Sequence, residues 1–157
     1  MKKYLGLFVI MLLAVVITGC GGSKTLTKNA TPEELLDVYM EGFKNVDPDK
    51  VISIYPDFAK DYYKKYITKE RIQRSLDNYG KNVELSYEIT GKDKLSDDEL
   101  EELNENIKNA FTNPVLPSEC YKINGSTTIK GSDEEHTSEI TELWYCDFDG
   151  SWRLLGD

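Results

Sequence analysis

The sequence is poor in the residues on which many hydrolases and metalloenzymes depend, since its 157 residues include one histidine and three cysteines. His136 follows Glu134 and Glu135 in a polar segment, where we expect a solvated side chain at a hairpin tip. Catalysis by a serine or cysteine nucleophile needs a base beside that nucleophile, and histidine commonly supplies it. The sequence therefore offers no evident catalytic residue, and we predict neither a metal site nor a cofactor.

Basic residues are also scarce. The chain has 19 lysines and arginines against 28 aspartates and glutamates, which gives a formal net charge of -9. A negative surface repels the phosphates of nucleic acids and the anionic headgroups of membranes. We therefore expect no nucleic-acid partner, and association with a membrane requires an attachment other than surface charge.

The sequence contains one long apolar run, from Tyr4 to Ile17, and it follows Lys2 and Lys3. As a helix this run would span about 21 Å, which is short of the ~30 Å hydrocarbon core of a bilayer. A permanent transmembrane helix is therefore not expected. A charged segment, an apolar segment and small residues before a cleavage point are typical of a secretory signal.

The run ends in Ile17-Thr18-Gly19-Cys20, which resembles the lipobox of bacterial lipoproteins. The resemblance implies that Cys20 is the first residue of the mature protein and carries diacylglycerol on its sulfur. It also implies an extracytoplasmic protein that is anchored to the cell membrane by this lipid. We therefore predict a signal peptide over residues 1–19, a lipidated cysteine and flexible tether over 20–30, and one α+β domain over 31–157.

Helix signals dominate the first half of the domain. Thr31 and Glu34 form a capping box, and Asp47 with Pro48 opens a second, short helix. Gly42 lies inside the first helix, where glycine costs about 1 kcal/mol relative to alanine, so we expect a close approach of another element there. The stretch from Phe58 to Tyr66 indicates a further short helix and its exit, Thr68 caps the next helix, and Ser96 with Glu99 is a second capping box.

Strand signals dominate the second half. Apolar residues alternate with polar ones from Val83 to Ile89, as in a half-buried strand. From Glu119 onward the pattern is again that of strands, and Asp149-Gly150 is a strong signal for a two-residue hairpin. The predicted order is three helices, a strand, a helix and a three-stranded antiparallel meander.

The two cysteines of the domain suggest the register of this meander. If paired residue numbers sum to 266, Cys120 lies opposite Cys146, and an oxidising compartment would allow a disulfide between them. The same register pairs Tyr121 with Tyr145, Ile123 with Leu143, and Lys130 with His136, around a loop of residues 131–135.

Three short motifs support a family resemblance over residues 31–157. Thr31-Pro32-Glu33-Glu34 opens the first helix, Asn45-Val46-Asp47-Pro48 leads into the second, and Asp149-Gly150-Ser151-Trp152 lies near the end. With the predicted element order, they resemble the cystatin-like or NTF2-like α+β fold, in particular the small domains of unknown function attached to lipoboxes in Gram-positive bacteria. The resemblance implies N-terminal helices packed on a curved antiparallel sheet, with a conical cavity that serves catalysis in some members and binding in others.

We interpret the chain as a non-enzymatic tethered domain that binds a small ligand, a peptide or an envelope partner. The aromatic side chains expected to line its cavity are Tyr39, Phe43, Tyr87, Tyr121 and Trp152. One alternative is a cavity enzyme of the isomerase, dehydratase or hydrolase type, which requires a buried carboxylate of raised pKa beside a tyrosine. Another is a structural envelope protein that forms a homodimer through an exposed sheet face carrying Trp144 and Phe148.

The lipobox resemblance yields a direct prediction. We expect mass spectrometry of the envelope protein to find a mature N-terminus at Cys20 with diacylglycerol attached. The Cys20→Ala variant should accumulate as the unprocessed precursor because the acceptor sulfur is missing. An unmodified mature form that begins at another residue would contradict the prediction.

Overall fold

The computed structural model describes residues 26–156. Cys20 and the predicted signal peptide lie outside these residues, so signal removal and lipidation stay predictions. Between Leu26 and Gly156 the structure contains no helix that is long and apolar enough to cross a membrane.

The described chain is an α+β domain, as predicted, built on an antiparallel sheet that does not close into a barrel. The strand order is β1-β2-β4-β5, with β3 beside β2. Four helices, rather than the three of the predicted order, precede the first strand, and the short helix expected in the aromatic stretch is one of them. The elements are α1 Pro32–Lys44, α2 Pro48–Ile52, α3 Asp57–Tyr63, α4 Lys69–Asp77, β1 Glu84–Lys94, α5 Asp97–Ala110, β2 Glu119–Lys130, β3 Glu135–Ile140, β4 Leu143–Asp147 and β5 Trp152–Gly156.

The local helix signals are confirmed. The side chains of Thr31 and Ser96 each accept a hydrogen bond from the backbone N–H three residues on. The carboxylates of Glu34 and Glu99 in turn accept a hydrogen bond from the backbone N–H of the cap residue. The expected close approach at Gly42 is also present. A Cβ at this position would lie 2.8 Å from the backbone nitrogen of Val51, so α2 crosses α1 where α1 has no side chain.

The regular pairing of the sheet is interrupted where β2 passes through Asn124 and Gly125. On one side β1 carries an extra residue, since Ile89 pairs with Gly125 and Gly91 with Asn124. On the other side β3 ends at Ile140 and β4 begins at Leu143. Bulges bend a strand and increase its twist, and a side chain at Gly125 would collide with the carbonyl oxygen of Glu88. The sheet is therefore divided into two parts. The outer part contains β3 and the β2 residues 125–130 that pair with it. The inner part contains β4, β5 and the β2 residues 119–122 that pair with β4.

The predicted register is confirmed in the inner part, where Cys120 lies opposite Cys146 and Tyr121 opposite Tyr145. The structure joins the two cysteines, both of which are buried, in a disulfide.

The predicted register is wrong by one residue in the outer part. Ile129 rather than Lys130 lies opposite His136, and Lys130 pairs with Glu135, so the hairpin loop is residues 131–134. The extra residue between β3 and β4 causes the shift. It also removes the expected ladder pairing of Ile123 with Leu143 and splits the predicted central strand of the meander in two.

Helices cover both faces of the inner sheet. On one face α1 contributes Leu35 and Val38 to a core with Ile123, Tyr145 and Leu154. On the other face α5 packs its apolar side over the disulfide, in a cluster of Leu103, Ile107, Cys120, Cys146, Phe148 and Leu155. Trp144 packs against the same cluster. The face that the dimer alternative assumed to be exposed is therefore covered by α5.

Residues 26–30, which were assigned to the flexible tether, pack against the domain. The carbonyl oxygen of Lys28 accepts a hydrogen bond from the backbone N–H of Trp152 at 2.7 Å, and that of Ala30 accepts from the Tyr145 hydroxyl at 2.8 Å. Ala30 is only 2% exposed, and Leu26 packs against the α1 core. Residues before Thr31 are therefore packed against the domain, and Lys28 lies at the edge of β5.

The cysteine pair yields a stability prediction. The disulfide closes a loop over a sequence separation of 26 residues, and the chain-entropy model assigns such a loop about 3 to 4 kcal/mol. We expect the Cys120→Ala/Cys146→Ala variant to lose about this much free energy of unfolding in urea. Thiol titration of the denatured, unreduced wild type should detect neither cysteine, and detection of both would contradict the prediction.

Candidate functional site

The five aromatic residues predicted to line one cavity lie in two different places. Tyr87, Tyr121 and Trp152 lie on the sheet face that α1 covers, as partly buried residues packed against its core. Tyr39 and Phe43, one turn apart on α1, also line a cleft between the helices. Two of the five residues therefore line the cleft between the helices, and the other three lie on the sheet face.

The aromatic side chains on the sheet face pack against one another. The rings of Tyr145 and Trp152 stack with centroids 4.5 Å apart, and the ring of Tyr121 lies 6.0 Å from that of Trp152. The Lys92 ammonium lies 4.8 Å from the Tyr121 ring centroid, within the range of a cation–π contact. Burial raises the pKa of Tyr145 to about 12, so its hydroxyl remains a hydrogen-bond donor at neutral pH. These residues form a packed layer between the sheet and the N-terminal segment.

Tyr87 links β1 to α1 through hydrogen bonds of its hydroxyl. Its hydroxyl lies 2.9 Å from Oδ1 of Asp37 and 3.1 Å from the carbonyl oxygen of Glu33, and it donates toward both. Burial raises the pKa of Tyr87, and the hydrogen bond to Asp37 and the charge of that carboxylate raise it further. The hydroxyl therefore stays protonated and holds the strand to the helix.

The cleft lies between α1, α2 and α4 and is partly open to solvent. Its volume is about 180 Å³. The walls are mostly apolar or aromatic, and the lining residues are Tyr39, Phe43, Val51, Tyr66, Ile67, Arg71, Ile72 and Ser75. Val51 and Ile72 are buried at 1% and 2% exposure, whereas Tyr66 is 49% exposed. The cleft thus has an apolar floor and a polar, accessible mouth.

Two close backbone approaches hold the cleft walls. Gly42 brings α2, with Val51, against α1. The segment after α4 is fixed by the β2–β3 loop, because the N–H of Asp133 donates to the Tyr79 carbonyl at 3.2 Å and the N–H of Ser132 to the Lys81 carbonyl at 3.0 Å. A side chain at Gly131 would collide with the Tyr79 carbonyl oxygen. Both walls therefore depend on contacts that leave no room for a Cβ.

Arg71 is the charged group of the cleft. Its guanidinium carbon lies 5.8 Å from the ring centroid of Tyr66, and Nη1 lies 3.5 Å from the Tyr66 carbonyl oxygen, the outer limit of a hydrogen bond. Across residues 26–156, no carboxylate lies within ion-pair distance of Arg71. Burial raises the pKa of Tyr39, which therefore stays neutral at the other side of the cleft. The site combines an apolar cavity with one uncompensated positive charge.

Sequence reasoning missed Tyr66, Ile67 and Arg71 as site residues. A local signal was available, because residues 64–75 hold five of the 19 basic residues and a single acidic one, Glu70, in a chain of net charge -9. This positive segment begins in the aromatic stretch and runs into α4. Its position at the cleft follows only from packing between helices that are distant in sequence.

The Tyr87 contacts yield a stability prediction. We expect Tyr87→Phe to lower the free energy of unfolding by about 1 to 2 kcal/mol, because Asp37 and Glu33 lose their donor. Tyr66→Phe is the matched control, since its ring is largely exposed and should change stability by no more than about 0.5 kcal/mol. Equal effects of the two variants in urea unfolding would contradict a structural role for Tyr87.

Comparisons of the chain with models of known protein families, with curated proteins and with solved structures found no match.

Proposed function

We propose that the protein is a membrane-tethered, extracytoplasmic binding domain that holds a compact group of a small ligand, peptide or envelope partner in the cleft between α1, α2 and α4. The observation that carries the proposal is the cleft itself, with its apolar floor and accessible mouth. Cavities of this kind, with few polar groups, are the usual form of ligand sites. The proposal thus moves the binding site from the sheet face to the helices.

The size of the cleft limits its occupant. Its volume of about 180 Å³ is below the ~300–1,000 Å³ of sites for drug-sized ligands. A single ring or a branched aliphatic group is the appropriate size. The domain would therefore bind either a very small molecule or one projecting group of a larger partner.

The predicted anchor and the packed N-terminal segment together limit where the cleft can act. If Cys20 is lipidated, the chain between it and the docked Leu26 is six residue steps, or about 20 Å when fully extended. A tether of this length keeps the domain close to the extracytoplasmic surface of the cell membrane. A partner in the membrane or the adjacent envelope would therefore be within its reach.

The structure offers less support for the enzyme alternative. No aspartate or glutamate lines the cleft, and the described part of the chain has no buried charged residue. Asp147 has one buried oxygen without a hydrogen-bond partner, but the side chain lies beside Ser118 at the end of β4. The tyrosines with raised pKa values are hydrogen-bond donors at neutral pH rather than bases.

We also propose that the architecture is a variant of the cystatin-like or NTF2-like cone. The break in regular strand pairing at Gly125 and the placement of α1 on one face support this relationship. Two features differ from the expected cone, since α5 covers the opposite face and aromatic side chains fill the space beneath α1. The sheet face is therefore a poorer candidate for a cavity than the helical cleft.

A filled-cavity variant tests the proposal. We expect a library of single-ring fragments, screened by saturation-transfer NMR against the full chain in detergent micelles, to give hits that disappear in Ser75→Phe because the new ring occupies the cleft. Gln73→Phe is the matched control. It adds the same side chain to an exposed position of α4 outside the cleft, and its hits should remain.

Tyr66→Ala provides a second variant that does not enlarge the core, and it should weaken the same hits by removing the mouth of the cleft. Melting curves establish that each variant is folded. The absence of hits for the wild type, or hits that persist unchanged in both Ser75→Phe and Tyr66→Ala, would refute binding in the cleft.

A further inference from the structure

We propose that the cleft selects a ligand group that is both apolar and anionic, and that Arg71 binds its carboxylate. The inference rests on the proposed function, because it assigns a ligand class to the same cleft. It goes further in specifying a charge that the acidic composition of the chain would not suggest.

The first observation is the state of Arg71. A guanidinium presents a planar fork of N–H donors that matches a carboxylate in a bidentate geometry. Its one hydrogen bond within the described chain, to the Tyr66 carbonyl, is at the distance limit and uses only Nη1. Glu70 is adjacent in sequence, but its carboxylate bonds to Thr68 and its own backbone, which lower its pKa. Most donors of Arg71 are therefore available at the mouth.

The second observation is the distribution of charge around the mouth. Residues 64–75 carry five positive charges and one negative charge. Lys64 is paired with Asp61, whereas Lys65, Lys69 and Arg74 form no ion pair with any residue from Leu26 to Gly156. In a chain of net charge -9, this segment is a local region of positive potential. It would attract an anion to the mouth and repel a cation.

The third observation is the cleft interior, which excludes other ligand classes. Phe43, Val51 and Ile72 offer no hydrogen-bond or ion-pair partner to an anion inside the cleft. None of the lining residues is acidic, so a cation has no ion-pair partner there either. Burying a free charge there would be costly. The charged end of the ligand must therefore lie at the mouth beside Arg71 and Tyr66, while an uncharged ring or branched chain enters the cavity. An aromatic or branched aliphatic monocarboxylate has this arrangement.

A pair of probes separates charge from shape. The carboxylate 3-phenylpropionate and its neutral amide, 3-phenylpropanamide, have the same apolar body and nearly the same size. We expect calorimetric titration of the full chain in detergent micelles, with empty micelles as the blank, to give a dissociation constant at least tenfold lower for the carboxylate. A tenfold ratio corresponds to about 1.4 kcal/mol, which is just below the range for hydrogen bonds to charged groups.

Arg71→Gln should abolish this preference while leaving amide binding within a factor of about two, because the apolar cavity is unchanged. Arg74→Gln is the matched control. It removes the same charge from an exposed position of α4 that does not line the cleft, and it should reduce carboxylate affinity by less than about threefold. Both arginines are exposed, so neither variant is expected to unfold the domain.

The outcomes separate the two levels of the proposal. Equal binding of both probes, with both signals lost in Ser75→Phe, would overturn the anion assignment and leave the cleft as a binding site. Equal losses in Arg71→Gln and Arg74→Gln would show that general surface charge attracts the anion, which would also overturn the role of Arg71. Failure of both probes and of the fragment library would remove the binding function itself.

Discussion

The break in regular strand pairing beside Asn124 and Gly125 of β2 divides the sheet into its outer and inner parts. Both neighbours of β2 are interrupted at this height, and the close approach of the Glu88 carbonyl leaves no room for a side chain at Gly125. The inner part of the sheet is covered by α1 on one face and by α5 on the other. The β2–β3 hairpin, in the outer part, contacts the segment that follows α4.

The hairpin then determines the position of the cleft. Its loop, residues 131–134, is hydrogen-bonded to Tyr79 and Lys81 just after α4, and this fixes the wall that carries Arg71 and Ile72. The opposite wall is fixed by the contact of Gly42 with α2. The contacts at both walls involve backbone atoms, so they position the helices between which the cleft lies. The basic residues at the mouth lie in residues 64–75, the same segment that forms one wall of the cleft.

The sequence predicted the features that depend on neighbouring residues. The capping boxes, the alternation along β1 and the Asp149-Gly150 turn, with φ values of 56° and 74°, are all present because each has a local cause. The outer register could not be predicted, since the residues around Thr141 carry no distinct signal for the bulge. The packing of Leu26 to Ala30 was missed because it depends on backbone carbonyls that accept hydrogen bonds from Trp152 and Tyr145 rather than on apolar periodicity. Arg71 was missed because only the packing of α4 brings it to Tyr39 and Phe43.

We propose that binding occurs between the helices and not on the sheet face. Amide chemical-shift mapping of the isotopically labelled chain during titration with 3-phenylpropionate distinguishes these two places, because it reports on both in one experiment. We expect the largest shifts at Phe43, Ile67 and Ser75, with the amides of Tyr121 and Trp152 unchanged. Saturable shifts centred on Tyr121 and Trp152, with none at the helical cleft, would contradict it.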